Sequence, residues 1–222
     1  MSLYTHQGRF ADRVAAGRAV AALLGGYAGR TDVVVLGLPR GGVPVAAEVA
    51  RALGAVLDVL IVRKLGAPGQ PELAMGAIAA VGDVIQVVSN EPVITGLHVT
   101  QARFDEVRRR ELAELRRRAA AYRGDRAPLR LTGQVVIIVD DGLATGSTMR
   151  AAVAAVRQSS PSRVVVAVPV AAERTCEMLR EQVDEVVCAL FPEPFRAVHQ
   201  GYRDFTQTPD DEVIALLRPG SS

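Results

Sequence analysis

The stretch from Val135 to Thr148, V-V-I-I-V-D-D-G-L-A-T-G-S-T, constrains the fold of this chain more than any other. Its first five residues are β-branched without polar alternation, which is typical of a strand buried on both faces of a parallel sheet. The strand stops at two carboxylates, and Gly142 and Gly146 then lie among small side chains. From Met149 the apolar spacing becomes helical. The sequence therefore predicts a strand, a tight loop of small residues and a helix N-terminus.

This loop has the chemistry to bind a sugar phosphate. Backbone N–H groups at a helix start, with the positive end of the helix dipole, bind phosphate, and the loop hydroxyls add further donors. Asp140 and Asp141 would repel a phosphate, but they can accept hydrogen bonds from vicinal hydroxyls and stabilise a cationic sugar. The spacing matches neither a Walker loop nor a dinucleotide-binding G-x-G-x-x-G. An ordinary Asp-Gly turn after a parallel strand is the alternative.

The run V-I-I-V-D-D-G-L-A-T-G-S-T resembles the phosphoribosyl pyrophosphate (PRPP) motif of type I phosphoribosyltransferases. The resemblance implies that Asp140 and Asp141 are catalytic and hold the ribose 2′ and 3′ hydroxyls. The 5′-phosphate would be wrapped by the residues Ala144, Thr145, Gly146, Ser147 and Thr148. It further implies that PRPP, bound with Mg²⁺, loses pyrophosphate while its 5-phosphoribosyl group passes to a nitrogenous acceptor, for which a nucleobase is expected. Substrate oxygens would hold most of the metal's coordination sites, so no protein ligand set is predicted.

A second Gly-rich loop follows the buried strand predicted at 32–38, and a helix begins directly after it. In a doubly wound sheet the loops at the carboxyl ends of the strands gather on one edge, so this loop is expected beside the acidic motif. The resemblance implies that the loop grips pyrophosphate through Pro39, Arg40, Gly41 and Gly42, with a cis peptide bond between the first two. An ordinary Gly-rich turn is the alternative.

Lys64 is the only lysine among 26 basic residues. It follows Arg63 at the end of a strand predicted at 57–64, and lysine does not replace arginine where geometry matters. The resemblance implies that both side chains are catalytic and hold the pyrophosphate leaving group. A surface pair at a strand end is the alternative.

A β-hairpin with a flexible loop is predicted after Lys64, over residues 65–89. Residues 65–71 contain two glycines and two prolines and little apolar surface, and short strands are predicted at about 77–81 and 84–89. The resemblance implies that this loop closes over the active site.

An inserted amphipathic helix is predicted at 100–122. One stripe is apolar, and the other face carries the arginine triplets 108–110 and 116–118 interleaved with glutamates. Mixed charge of this kind is typical of a solvated helix face. A contact with nucleic acid and a dimer surface are the alternatives.

The segment 191–205 contains four of the nine Phe and Tyr residues. The resemblance implies a small C-terminal hood at 191–222, in which Phe191 and Phe195, together with Leu143, would contact a planar base. A satellite hydrophobic cluster that fixes a helix near 210–217 is the alternative.

Strands and helices alternate from Val33 onward, which predicts an α/β fold with a mainly parallel five-stranded sheet flanked by helices. The 222 residues are expected to form one phosphoribosyltransferase-like domain with its core at about 30–190. No apolar run reaches membrane-spanning length, the N-terminus lacks a signal-peptide pattern, and Cys176 and Cys188 lack metal-ligand spacing. A cytoplasmic location is therefore expected. A homodimer is expected as well, and the net charge of +2 does not by itself imply nucleic-acid binding.

The motifs do not identify the acceptor. Ala144 stands where hypoxanthine-guanine enzymes carry a carboxylate, L-A-T-G is closer to the adenine and uracil enzymes, and P-R-G-G resembles the xanthine-type loop. The whole chain resembles bacterial phosphoribosyltransferase-like proteins whose acceptor is not assigned. Three other functions stay open: a PRPP-sensing regulator that binds RNA or DNA, a hydrolase of a phosphoribosyl compound, and a catalytically inactive interaction module.

Overall fold

The computed structural model describes residues 8–81, 84–124, 126 and 129–218, so the end of the predicted hood, 219–222, lies outside the described residues. The strands are β1 (Val33–Gly37), β2 (Val56–Ala67), β3 (Gln70–Val81), β4 (Val84–Ser89), β5 (Val135–Val139), β6 (Arg163–Val170) and β7 (Glu185–Leu190). The helices are α1 (Arg13–Leu23), α2 (Gly42–Leu53), α3 (Glu91–Gly96), α4 (Gln101–Arg123), α5 (Ser147–Arg157), α6 (Glu173–Arg180) and α7 (Asp210–Leu216).

One sheet runs through the molecule in the order β4-β3-β2-β1-β5-β6-β7. Five neighbouring strands are parallel, as predicted, namely β2, β1, β5, β6 and β7. Strand β3 pairs with β2 and with β4 in antiparallel orientation. The prediction of five strands is therefore wrong, because the sheet is mixed and has seven. The pairing of β2 with β1 ends at Val59, and the rest of the 12-residue β2 pairs with β3 and so extends the sheet.

Helices cover both faces of the sheet. Val33 and Val35 in β1 pack with α1 and α2, whereas Val34 and Leu36 pack with α5 and α6. All five residues of β5 are buried, which confirms the prediction of a strand covered on both faces. Two clusters of the core therefore lie on opposite faces of the sheet, and a third lies between β2, β3 and α4.

The predicted loop at 65–71 is wrong in its boundaries. Strand β2 continues to Ala67 and β3 begins at Gln70, so the chain turns at residues 68–69. Leu65 is fully buried in a cluster with Met75 and α4 residues. Sequence reasoning underestimated this apolar contact, because the partner surface on α4 is distant in the chain.

The exposed face of α4 is covered by ion pairs within the helix. Arg103 pairs with Glu106 at 3.1 Å, and Arg117 and Arg118 both pair with Glu114 at 2.8 Å. This local neutralisation favours the solvated-face interpretation of the helix. None of the helices in the described part of the chain has the length and apolar character needed to span a membrane.

The C-terminal end of α4 is fixed to β2 by a buried ion cluster. Asp58 is 2% exposed and accepts hydrogen bonds from Arg123 Nε at 3.3 Å and Arg126 Nη1 at 3.5 Å. Its Oδ1 also accepts from the backbone N–H of Val59 at 2.8 Å. Three charged groups thus tie the end of α4 to β2.

Candidate functional site

The candidate site lies at the point where the order of strands reverses. The chain leaves β1 towards β2 and leaves β5 in the opposite direction towards β6, although β1 and β5 are neighbours. In open α/β sheets such a switch point opens a crevice at the carboxyl ends of the strands, where ligands bind. The Leu38 N–H donates to Val139 O at 2.9 Å, so the two following loops start side by side. The structure thereby confirms that the two Gly-rich loops meet.

The loop after β1 packs directly on the acidic pair. A Cβ atom at Gly41 would lie 1.9 Å from Asp141 Oδ2, and one at Gly42 would lie 2.8 Å from Asp140 Cα. Only glycine therefore lets the two loops approach this closely. The peptide bond between Pro39 and Arg40 is cis, which confirms the prediction.

The loop after β5 presents an open helix N-terminus. Gly146 is the N-cap of α5, with a φ of 70°, and it has no side chain to cap the first amides. Ser147 and Thr148 are exposed beside it. On the side of the loop that faces α6, the Thr175 hydroxyl donates to Ala144 O at 2.7 Å. The loop is thus supported on one side and open on the other, an arrangement that suits an anion.

The acidic pair is held in a buried and charged environment. Asp140 Oδ1 accepts from the Asp141 N–H at 2.8 Å. Burial, and then the negative charge of Asp141, raise the pKa of Asp140 well above its ordinary value. Burial also raises the pKa of Asp141, although the hydrogen bond from Arg13 opposes this rise. A cation or hydroxyl donor entering the site would therefore relieve an unfavourable concentration of negative charge.

Sequence reasoning missed the residues that support Asp141. Arg13, the first residue of α1, donates to Asp141 Oδ2 from Nε at 2.9 Å and from Nη2 at 2.8 Å. Tyr202 donates its hydroxyl to the Asp141 backbone O at 2.6 Å, and burial raises the pKa of this tyrosine. Tyr202 falls in the aromatic segment that the sequence singled out, but Arg13 belongs to no motif and lies 128 positions away from its partner.

Arg63 and Lys64 point to opposite faces of β2, because successive side chains of a strand alternate. Lys64 faces the phosphate loop and lines a cavity of about 80 Å³ together with Ser147 and Thr148. Arg63 faces α4 and donates to Glu111 Oε2 from Nε at 3.0 Å and from Nη2 at 2.5 Å. A cavity of about 600 Å³ lies on this second side, between the hairpin and α4. The structure therefore brings Lys64 to the site and Arg63 to the helix.

The Arg40 side chain also points away from the acidic pair. Its Nη1 lies 3.9 Å from Asp210 Oδ1, and it lines a cavity of about 180 Å³ with Arg117, Arg118 and Tyr122. The Tyr122 hydroxyl donates to Asp210 Oδ1 at 2.6 Å, and burial, with this carboxylate, raises the tyrosine pKa to about 12. The backbone of the P-R-G-G loop, rather than its arginine, is what faces the site.

The model of the phosphoribosyl transferase domain family matches residues 6–203 of this chain. The chain belongs to this family. A relative named "Putative phosphoribosyl transferase Rv0571c", from Mycobacterium tuberculosis strain H37Rv, is 51% identical over 208 residues. The same identity is found with "Putative phosphoribosyl transferase MT0597" of strain CDC 1551. The match covers 94% of this chain and 46% of each relative, so the chain spans about half the length of these curated relatives.

A solved structure of the same architecture is TT1426 from Thermus thermophilus. Its TM-score is 0.83 at 44% sequence identity, and the match covers 94% of this chain and 97% of that one. The likeness runs over nearly all of both chains, so the whole architecture described above is shared.

The hood of this phosphoribosyl transferase domain differs from the expectation. Phe195 packs in a satellite cluster with Tyr202 and Phe205, whereas Phe191 is 38% exposed. The alternative predicted such a cluster, but α7 is not part of it, because Val213 packs in the cluster that contains α4 residues. Leu143 is 2% exposed and packs in the core against α5 and α6. This burial does not favour a base contact by the Leu143 side chain, and its assignment to the base stays a prediction.

Metal-binding side chains do not cluster at this site. Among the described residues, no three His, Cys, Asp or Glu side chains lie close enough together to hold a metal ion. Cys176 is buried and Cys188 half-buried, and both are free thiols.

Proposed function

We propose that this chain transfers the 5-phosphoribosyl group of PRPP to a nitrogen atom of a nucleobase and releases pyrophosphate. The observation that carries the proposal is the direct packing of Gly41 and Gly42 against Asp140 and Asp141 at the switch point. PRPP carries a 5′-phosphate, a vicinal diol and a pyrophosphate on C1. The open N-terminus of α5, the acidic pair and the P-R-G-G loop offer one group for each.

Each part of the site has a role in the proposed reaction. The amides and hydroxyls at 145–148 bind the 5′-phosphate, while Asp140 and Asp141 accept hydrogen bonds from the ribose hydroxyls. The Gly41 amide, with Lys64, binds the pyrophosphate, because the Gly42 N–H already donates to Leu38 O at 3.0 Å. As the bond from C1 to the pyrophosphate oxygen breaks, positive charge develops on the ribose, and the carboxylates stabilise it. The acceptor nitrogen then forms its bond with C1.

The oxygen atoms available as metal ligands at the site fit a metal ion that arrives with the substrate. Asp141 Oδ2 is bound by Arg13 and Asp140 Oδ1 by a backbone N–H, so pyrophosphate and ribose oxygens would supply most ligands. When bound, Mg²⁺ neutralises charge on the leaving pyrophosphate.

The nucleobase acceptor is proposed from the resemblance of the sequence motifs, and a recognised base pocket does not support it. Ala144 puts no carboxylate at the base side of the phosphate loop, and Leu143 is turned into the core. Exposed Phe191 stays a prediction for stacking on the base. Association as a homodimer and a cytoplasmic location are likewise part of the proposal.

Gly41→Ala is expected to weaken PRPP binding at least about tenfold, since the new methyl group must displace the Asp141 carboxylate or the loop. Gly96→Ala is the matched control, because a Cβ at Gly96 meets nothing within 4 Å. Calorimetry with PRPP and Mg²⁺ measures both variants. Equal affinity in the Gly41 variant and the wild type would contradict the packing argument.

Lys64→Gln and Arg63→Gln are expected to act on different properties. The Lys64 variant should lose about tenfold or more in pyrophosphate affinity, since the side chain lines the phosphate-loop cavity. The Arg63 variant should lower the Tm, because Glu111 is 9% exposed and loses a charged partner. Burial opposes ionisation of Glu111, but the hydrogen bonds from Arg63 and Arg110 hold its pKa below the ordinary value. If only the Arg63 variant lost pyrophosphate affinity, Arg63 and not Lys64 would contact the pyrophosphate leaving group.

Titration of the wild-type chain with PRPP and Mg²⁺ in a calorimeter tests the proposal directly. One PRPP molecule is expected per chain, in competition with pyrophosphate. Absence of both heat and thermal stabilisation would overturn the proposal. Binding of PRPP without turnover by any base would favour the PRPP-sensing alternative, and RNA or DNA binding that weakens steeply with salt would support its nucleic-acid part.

A further inference from the structure

Arg13 is the most fully engaged cation at the candidate site. Its Nε and Nη2 both donate to Asp141 Oδ2, and its Nη1 donates to Thr206 O at 2.6 Å. The guanidinium carbon lies 4.1 Å from the centre of the Phe205 ring. The side chain is only 11% exposed. All three guanidinium nitrogens therefore have fixed partners, which come from the loop after β5 and from the C-terminal segment.

Arg13 also contacts the loop that we assign to pyrophosphate. A Cβ atom at Gly41 would lie 3.0 Å from Arg13 Nε and 1.9 Å from Asp141 Oδ2. The N-terminal segment is held at this point by a backbone ladder, since Phe10 N–H donates to Gly201 O at 2.7 Å and Arg203 N–H donates to Phe10 O at 2.8 Å. The start of α1 is thus built into the site together with the segment that follows β7.

The charges around Asp141 explain why a cation is needed there. Asp140 is the neighbouring carboxyl group, and Tyr202 contributes a neutral hydroxyl to the Asp141 backbone O. Two carboxylates in a half-buried crevice repel each other and lose solvation. Arginine stays protonated at every physiological pH, so its charge at Asp141 is permanent.

We propose that Arg13 is a positioning residue, the fixed counter-ion that holds Asp141 by Oδ2 and aims Oδ1 at a vicinal diol in the crevice. The ribose part of this role rests on the proposed function, but the counter-ion part does not. Lysine cannot replace Arg13 fully, because a single ammonium cannot form the paired contact with Oδ2, reach Thr206 O and stack on Phe205 together.

The test compares the full-length wild type with Arg13→Met and Arg13→Lys. The first readout is the titration of the Asp141 carboxyl carbon by NMR without ligand, and the second is the Kd for PRPP with Mg²⁺ by calorimetry. Arg18→Met is the matched control, because Arg18 also lies on α1 but is 67% exposed and pairs with Glu48. Arg13→Met should move the Asp141 titration to higher pH and weaken PRPP binding by about tenfold to a hundredfold. Arg13→Lys should titrate near the wild type, since the charge remains, and bind PRPP with intermediate affinity.

Each outcome separates this inference from the proposed function. An unchanged Asp141 titration in Arg13→Met overturns the counter-ion role whether or not PRPP binds. If the titration moves but the wild type does not bind PRPP, the counter-ion role holds and the proposed function fails. If the wild type and Arg13→Met bind PRPP equally, Arg13 does not position Asp141 for the ribose. If Arg13→Met does not fold, the titration and Kd of Arg13→Lys decide, and wild-type values for both would overturn the requirement for a guanidinium.

Discussion

Replacing Asp140 and Asp141 together by asparagine is expected to reduce PRPP turnover by about 10³-fold or more and to leave the fold intact. The double variant keeps the shape of the site, but it removes the negative charge that we propose stabilises a cationic ribose. The amide oxygen at position 141 can still accept the hydrogen bonds that Arg13 donates in the wild type. Pyrophosphate release and a far-UV circular dichroism spectrum measure the two properties.

The stability of this variant follows from the direction of the pKa shifts. The pKa values of both carboxyl groups are raised in the folded chain, so the folded state holds these protons more tightly than the unfolded state. Their favourable contribution is full below the unfolded-state pKa of about 3.9 and is lost as the pH rises through the raised folded-state pKa. Above the raised folded-state pKa values the ionised pair opposes folding, and asparagine removes this cost. We expect the Tm of the double variant to equal or exceed that of the wild type at pH 8 and to lose this advantage near pH 4.

A Tm at pH 8 several degrees below the wild type would show that the acidic pair is part of the structural framework. Wild-type turnover in the double variant would instead contradict the assignment of Asp140 and Asp141 to the ribose. The single variants Asp140→Asn and Asp141→Asn then show which carboxylate is responsible for the loss of turnover.

Replacing Asp58 by alanine is expected to lower the free energy of unfolding by about 3 to 5 kcal/mol. The change leaves Arg123, which is 7% exposed, and Arg126 without the carboxylate that joins them to β2. Removing one partner of a buried ion pair is costly, whereas the original pair need not be worth as much as its loss suggests. Urea unfolding followed by circular dichroism gives the value, because the chain contains no tryptophan.

Asp32→Ala is the control for this variant. Asp32 also pairs with an arginine at the start of a strand, but both Asp32 and Arg30 are more than 40% exposed, and their pair is expected to contribute little. PRPP affinity should stay at the wild-type value in both variants, because Asp58 pairs with Arg123 and Arg126 and belongs to neither Gly-rich loop. Equal stability of the two variants would contradict the view that burial makes the Asp58 cluster important.

Local sequence predicts much of this fold because the decisive signals are short. The β-branched run at 135–139, the carboxylates after it and the helical spacing from Met149 each specify their own conformation. The meeting of the two Gly-rich loops also followed, because parallel strands bring their carboxyl ends to one edge.

The rest depends on contacts that no local pattern reports. Arg13 reaches Asp141 across 128 positions, and Glu111 looked like one more charge on a solvated helix until the structure placed it against Arg63. The opposite directions of Arg63 and Lys64 were implied by the two-residue period of a strand, but the resemblance treated the two residues as one pair. The hairpin bounds were wrong because the burial of Leu65 depends on where α4 packs.

The central claim is that the acidic pair and the two loops form a phosphoribosyl transfer site. Its most direct test is pyrophosphate release from PRPP and Mg²⁺, measured with the wild type and the Asp140→Asn, Asp141→Asn variant against a panel of purine, pyrimidine and pyridine bases. We predict release by the wild type that depends on one base or one class of bases, and loss of that release in the variant. Release that is independent of any base would indicate hydrolysis, and no release with any base would contradict the claim.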